Sequence, residues 1–306
     1  MRWLITGARG FLGGSVARYA AARGDEVLAV TRGPAPRGSD SMAWAEARTA
    51  PELAAICATF APDAVLHAAG TASVAASLAD PRADFAGSVE TWATLLEAVR
   101  VSGRRPAVIL PSSAAVYGDP AALPVGEDAA AAPVSPYGFH KVSAELLGRE
   151  YAACFGIDVT VARLFSVFGP AQRRLLVWDL YERLSRAGGA AWVEGTGAET
   201  RDFLHVDDVS RALLGLVAKR RVGPGDATIV NVASGRETSV LELAAMVKTA
   251  LGSDASVERR GLERPGDPRR WQADVTRLRG LLGEWSPEPL EAAIGSCVAR
   301  WRAESA

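Results

Sequence analysis

The 306-residue sequence is poor in cysteine, histidine and methionine, has no excess of either charge and contains no long apolar run. Each scarcity removes a class of function. Cys57, Cys154 and Cys297 are widely spaced and odd in number, which argues against a disulfide framework and against the close pairs of zinc and redox sites. They read as reduced thiols, mostly buried. His67, His140 and His205 stand singly, without partners at metal-ligand spacing, and read as structural or surface residues. Lys and Arg number 34 against 35 acidic residues, a formal charge of −1, so no polyanion-binding surface and no nucleic-acid partner are expected. No stretch approaches the roughly 20 apolar residues of a membrane span, and a glycine-rich motif begins already at Thr6, leaving no room for a signal-peptide core. A cytoplasmic protein without membrane contact is expected.

What is present is a chain that is 49% hydrophobic and 23% charged, enough for one large core or for two lobes sharing a cleft. Short apolar runs, "RWLIT", "EVLAVT", "AVLHAA", "AVILPSS" and "DVTVARL", alternate with segments of helical length and period. That alternation predicts an α/β fold with a doubly wound parallel (Rossmann-type) sheet. Beyond residue 165 the pattern loosens into Gly- and Pro-rich pieces among short helices, the mark of a smaller carboxy-terminal substrate-binding lobe. The expected division is 1–165, joined by 201–232, for the dinucleotide domain, and 166–200 with 233–306 for the substrate lobe. Residues 121–136 read as a surface loop.

Strand, "TGARGFLGG" and a helix starting near Phe11 follow in the order that a dinucleotide site needs. Gly7 permits a tight exit from the strand, Gly10 lets backbone approach a pyrophosphate, and Gly13 lets the helix pack closely, with Phe11 and Leu12 opening the helix whose positive end faces phosphate. Where an NAD-preferring protein places a ribose-binding carboxylate, after the second strand, this chain has Thr31 and Arg32. Arg9 lies in the glycine loop, and two guanidinium forks suit a 2′-phosphate. NADP is therefore the expected cofactor, with NAD the alternative.

In "SPYGFHKVSAELL" Ser135 is a plausible helix cap and Pro136 stands where a helix tolerates proline. Tyr137 and Lys141 then share one face, about 6 Å apart along the axis. An ammonium at 4 Å stabilises a phenolate by roughly 4 kcal/mol at an effective dielectric near 20, which brings the phenol towards acid/base range. The run "VILPSSAAVYG" places Ser112 and Ser113 at the carboxyl edge of the sheet, where a serine can hydrogen-bond the oxygen that Tyr137 protonates or deprotonates.

With "TGARGFLG", "VLHAAGTASV", "PSSAAVYG", "YGFHK", "RLFSVFGP", "RDFLHVDDV", "NVASG" and "RPGD" spread over nearly its whole length, the chain resembles an extended short-chain dehydrogenase/reductase of the NAD-dependent epimerase/dehydratase, or nucleotide-sugar, family. The resemblance implies hydride transfer between nicotinamide and a sugar carbon. It makes Ser113 the substrate-binding hydroxyl, Tyr137 the acid/base, and Lys141 the group that binds the nicotinamide ribose and makes the phenol acidic. It assigns Ala68 and Ala69 to the cofactor lining. Ser73, Ser166, Arg173, Arg201 and Arg264 become candidate contacts of a nucleoside-diphosphate sugar. Ser88 and Ser166 depart from the asparagines usual in the family, which leaves the sugar contacts open.

Dehydratase relatives carry an acid after the catalytic Ser/Thr, and the related decarboxylases carry a glutamate in this stretch; this chain has Ala114 and Ala115. The arginines favour an NADP-dependent reductase of a 4-keto sugar nucleotide. The alternative is a 4-epimerase with tightly held NAD, and outside the enzymes a non-catalytic NADP(H)-sensing regulatory protein. A flavonoid- or steroid-type ketone reductase fits the two phosphate-directed arginines less well. The resemblance also implies a homodimer paired through residues 83–100 and the Tyr137 helix, although Trp92, Leu95, Leu96 and Val99 at helical spacing would equally suit burial within one chain.

Overall fold

A strand buried on both faces reads as a continuous apolar run, and "LIT" of the first strand is wholly buried with the tryptophan before it. The computed structural model describes residues 1–35, 42–186, 191–218, 225–261 and 269–305. Its first part runs β1 (Arg2–Thr6), α1 (Phe11–Ala22), β2 (Glu26–Thr31), β3 (Ala43–Glu46), α2 (Ala50–Phe60), β4 (Ala64–His67), α3 (Val74–Ala79), α4 (Pro81–Phe85), α5 (Thr91–Val101), β5 (Ala107–Ser113), α6 (Pro136–Phe155) and β6 (Asp158–Leu164). With β11 (Thr228–Val232) the strands form one parallel seven-stranded sheet in the order β11-β6-β5-β4-β1-β2-β3. Strand order reverses between β1 and β4, so the crevice of a doubly wound sheet opens at their carboxyl ends.

Five of these strands coincide with the five apolar runs. The two edge strands do not, because β3 is only "AWAE" and β11 is reached after a long excursion of the chain. Apolar clusters cover both faces of the sheet: Trp3, Ile5, Leu66, Ile109 and Leu213 on one, Leu4, Val65, Trp92, Leu95 and Val108 on the other. Trp92, Leu95, Leu96 and Val99 are therefore buried inside this chain. The expected helix over 83–100 is interrupted by one π-helical turn, Ala86–Glu90, between α4 and α5.

The remainder consists of β7 (Ser166–Phe168), α7 (Leu175–Ser185), β8 (Ala191–Val193), β9 (Thr200–Arg201), β10 (Phe203–His205), α8 (Val206–Val217), β12 (Thr238–Ser239), α9 (Val240–Leu251), β13 (Val257–Arg259), α10 (Thr276–Leu282) and α11 (Leu290–Ser305). The short strands pair two by two, β10 with β7, β12 with β9 and β13 with β8. A third apolar cluster, with Phe168, Leu180, Leu243, Ile294 and Trp301, gives this part its own core. Ala273, Val275, Leu278 and Trp285 pack instead with the sheet.

Candidate active site

The glycine loop is shaped by close backbone approach. Gly7 has φ +74°, and a Cβ there would lie 2.4 Å from the carbonyl of Ala68 and the nitrogen of Ala69. A Cβ on Gly13 would lie 2.5 Å from the carbonyl oxygen of Gly7, so α1 can begin at Phe11 and Leu12 directly against the strand exit. Thr6 Oγ1 fastens the two turns of the crevice, meeting His67 Nδ1 at 2.9 Å and accepting from the Ala69 amide at 3.4 Å. His67 also meets Thr91 Oγ1 at 3.3 Å, and burial, helped by the Lys141 ammonium, pushes its pKa down to about 3. His67 is thus a neutral bracket of the crevice floor.

At the carboxyl end of β2, the Thr31 hydroxyl accepts from the Gly33 amide, and the Arg32 carbonyl accepts from Arg48 Nε at 2.9 Å. Arg9 and Arg32 are both exposed. Two residues here escaped the sequence reading. Arg48 follows an edge strand too short to be recognised, and Glu46, its last residue, pairs in register with Thr31.

On the other side of the crevice, the Ser135 hydroxyl caps α6 by accepting from the Gly138 amide at 3.2 Å, with Pro136 as the first helical residue. Gly138 is essential to the placement, since a Cβ there would lie 2.6 Å from the carbonyl oxygen of Ala115. The first turn of α6 is thereby pressed onto the 3-10 turn Ala114–Tyr117, which Ser113 caps by accepting from the Ala115 amide at 3.1 Å. The Tyr137 amide donates to Ser77 Oγ of α3 at 3.1 Å. Lys141 Nζ lies 5.5 Å from the centre of the Tyr137 ring and donates to the Pro111 carbonyl of β5 at 3.2 Å. Tyr137 and Lys141 thus face the same way, over the end of β5 that carries Ser113.

Ser73 caps α3 in the loop that leaves β4, its hydroxyl accepting from the Ala76 amide. Ser88 is buried in the π-helical turn and meets Thr71 Oγ1 at 2.9 Å; Thr71 in turn bonds the buried Asp84, whose other oxygen meets His140 Nδ1 at 2.5 Å. The Ser166 amide donates to the Asp202 carbonyl at 2.9 Å, and Ser166 pairs in register with Phe203, two residues past Arg201. Arg201 lies 5.5 Å above the Trp271 ring and donates to the Thr200 carbonyl.

Asp202 was also missed. Its fully buried carboxylate accepts from the amides of Ser234, Gly235 and Ala273 and from the Ser234 hydroxyl, at 2.6–3.2 Å. Burial pushes its pKa up to about 6 against the pull of those donors. Arg173 is committed elsewhere: it pairs with Glu304 of α11 and lies 4.3 Å above the Trp178 ring. Trp178 meets Trp301 edge to face, in the core of the lobe. Arg264 lies outside the described residues. Among the described residues there is no cluster able to hold a metal ion and no helix long and apolar enough to cross a membrane.

A family model described as "NAD dependent epimerase/dehydratase family" matches residues 3–233. The chain is 33% identical to a UDP-glucose 4-epimerase of Mycolicibacterium smegmatis, over 94% of each chain. It is 30% identical to a dTDP-4-dehydro-6-deoxy-D-allose reductase of Streptomyces bikiniensis, over 97% of this chain and 95% of the relative. Among solved structures, a UDP-glucose 4-epimerase of Thermotoga maritima, crystallised with UDP-glucose, superposes over the full length of both chains with a TM-score of 0.89 at 29% identity.

Proposed function

The chain belongs to the NAD dependent epimerase/dehydratase family, a family of nucleotide-sugar enzymes, and from that premise we propose that it reduces a 4-keto nucleoside-diphosphate sugar with NADPH. The observation that carries an oxidoreductase reading is the Lys141 ammonium 5.5 Å from the Tyr137 ring and bonded to the Pro111 carbonyl of the strand that ends in Ser113. In this reading the dinucleotide lies across the carboxyl ends of β1 and β4, against Gly7, Gly10, Gly13, Ala68 and Ala69, and supplies the hydride when bound. Ser113 hydrogen-bonds the sugar carbonyl oxygen, which fixes its position and polarises it. Tyr137 gives that oxygen its phenolic proton as the carbonyl becomes an alcohol, and the Lys141 ammonium stabilises the phenolate left behind. Ser73, from the loop after β4, and Ser166 and Arg201, from beyond the last sheet strand of the first part, hold the nucleotide sugar.

The choice of a reductase rests on the end of β2. No carboxylate follows that strand; Arg32 does, with Arg48 bonded to its carbonyl and Arg9 in the loop alongside. Guanidinium forks there match a 2′-phosphate. A second reading, 4-epimerisation with retained NAD, is favoured by Glu46, a carboxylate at the level of Thr31 on the neighbouring strand. The same proposal includes a homodimer, because Phe85 of α4 and Phe139 and Leu146 of α6 are exposed apolar side chains.

The test uses freshly purified protein, examined first for a co-purifying dinucleotide and then assayed with NADPH and with NADH on 4-keto sugar nucleotides. NADPH oxidation at least tenfold more efficient than NADH oxidation, reduced further in Arg32→Ala and Arg48→Ala, is expected. Stoichiometric bound NAD, interconversion of 4-epimers and no NADPH consumption would replace the reductase by the epimerase. Light scattering of the same sample reads the dimer.

A further inference from the structure

Beneath Ser113, Tyr137 and Lys141 lies a closed set of buried polar side chains that the reaction does not use directly. Ser112 Oγ donates to Glu145 Oε1 at 2.5 Å. Arg163, on β6, grips the same carboxylate with Nη2 at 2.7 Å and Nε at 3.1 Å. Its remaining Nη1 donates to Tyr117 Oη at 2.9 Å and to the Glu127 carbonyl at 3.0 Å. Tyr117 Oη donates onward to Asn231 Oδ1 of β11 at 2.7 Å. Ser112, Tyr117, Glu145, Arg163 and Asn231 are all buried.

An ion pair buried in a sheet interior is a poor means of gaining stability, because desolvating both charges costs about as much as their attraction returns. Its position suggests another use. Ser112 precedes Ser113, Tyr117 closes the turn that Ser113 caps, and Glu145 stands on α6 one turn beyond Lys141. The set therefore clamps every element on which the three proposed catalytic groups stand.

The spacing carries a second consequence. Lysine and glutamate four residues apart on a helix are neighbours that can pair. Here Arg163 and Ser112 occupy the Glu145 carboxylate, and Lys141 has no ion-pair partner among the described residues. The ammonium is left to the Tyr137 ring.

We propose that Arg163 is a positioning residue of this site, holding Glu145 away from Lys141 so that the ammonium stays uncompensated beside Tyr137. This rests on the reading of Tyr137 as the acid/base, and it names the device that keeps that group competent. The other charged groups around the pair are already matched: His140 with Asp84 of α4, Arg149 with Asp226, and Glu127 with Arg277; His67 of β4 is neutral.

The test needs no substrate, so it is separate from the identity of the reaction. The pH midpoint of tyrosinate absorbance due to Tyr137 is obtained by subtracting, for each variant, the same variant carrying Tyr137→Phe. In Arg163→Met the freed Glu145 carboxylate turns to Lys141, and the midpoint should rise by about one pH unit or more. Adding Glu145→Gln to that variant should return the midpoint to within a few tenths of the parent value, and should recover turnover where Arg163→Met alone lost it. A purely structural ion pair would give two destabilised proteins with an unmoved midpoint and no rescue, and that result overturns the proposal. Should Arg163→Met fail to fold, Arg163→Gln, which keeps one donor for Glu145 but not the charge, takes its place: a midpoint above the parent's supports the assignment, and an unmoved midpoint refutes it.

Discussion

The two parts of this molecule solve the same problem, holding polar groups in fixed places, by opposite means. The sheet half does it with long regular elements. Seven parallel strands and the capped twenty-residue helix α6 bring Ser113, Tyr137 and Lys141 to one edge, and two close backbone approaches, at Gly7 and Gly138, set the distances. Among the described residues the smaller lobe has no strand longer than three residues. Its loops are gathered by single side chains: the Asp202 carboxylate collects three amides, Trp271 donates to the Gly118 carbonyl at 3.0 Å, and Arg173 closes α11 over Trp178. The proposed reacting groups thus stand on long regular elements, while the proposed substrate contacts stand on pieces that a few bonds hold in register. A lobe built this way can change its substrate by exchanging loops without disturbing the reacting groups.

The contrast is broken most sharply at Tyr137. Tyr137→Phe should lower turnover at least a hundredfold, about the loss expected for a positioned acid/base. Cofactor affinity and the unfolding midpoint should stay near the parent's, because the hydroxyl leaves a half-exposed site rather than a core. Dinucleotide fluorescence titration beside steady-state kinetics checks it. Turnover within tenfold of the parent would remove the sheet edge as the seat of the chemistry.

Asp202→Ala probes the other half. It strips an acceptor from the buried Ala273 amide and from the half-buried Ser234 and Gly235 amides, and with about 1–3 kcal/mol for a buried donor left unsatisfied, a loss of about 3 kcal/mol in unfolding free energy is expected. The kinetic signature should be a raised KM for the nucleotide sugar with a smaller change in KM for the dinucleotide, since the loops at 234–235 and 271–273 border Arg201. Equal changes in both would mean that the lobe is not organised separately from the crevice.

How far the sequence exposed each half follows the same division. The glycine loop, the five apolar strands, the Ser135 cap and the Tyr137–Lys141 face are each encoded within a stretch of about ten residues, and periodicity finds such features. β3 was invisible because four residues of mixed polarity carry no period, and Arg48 and Glu46 went with it. Arg163 left a faint signal, a lone charge inside the otherwise apolar "DVTVARL"; its partner Glu145 lies on the preceding helix, where no local pattern marks it. In the lobe the determinants are pairings across long separations, such as Arg173 with Glu304, 131 residues away, and Asp202 with Ala273. Arg173 read in isolation resembles a phosphate ligand, and only the folded chain shows the carboxylate and the indole that hold it.

The smallest effect is also the one that sets the two halves directly against each other, through pH. His67, in the sheet, titrates at about 3 when folded and near 6.5 unfolded, because burial and then the Lys141 ammonium oppose its charge. As pH falls through 6.5 the unfolded chain takes up a proton that the folded one refuses, so stability is lost, by up to about 1.4 kcal/mol per pH unit. Asp202, in the lobe, titrates at about 6 when folded and near 3.8 unfolded, chiefly through burial. As pH falls below 6 the folded protein takes up the proton and the unfolded chain does not, so stability is gained until about 3.8. Between about pH 6 and pH 4 the two slopes oppose each other, so each masks the other in the parent. His67→Asn should uncover the lobe term, its urea-unfolding free energy rising relative to the parent's as pH goes from 6 to 4. Asp202→Asn should uncover the sheet term, falling over the same interval. Parallel profiles for both variants and the parent would show that the two buried groups do not set the acid response of their halves.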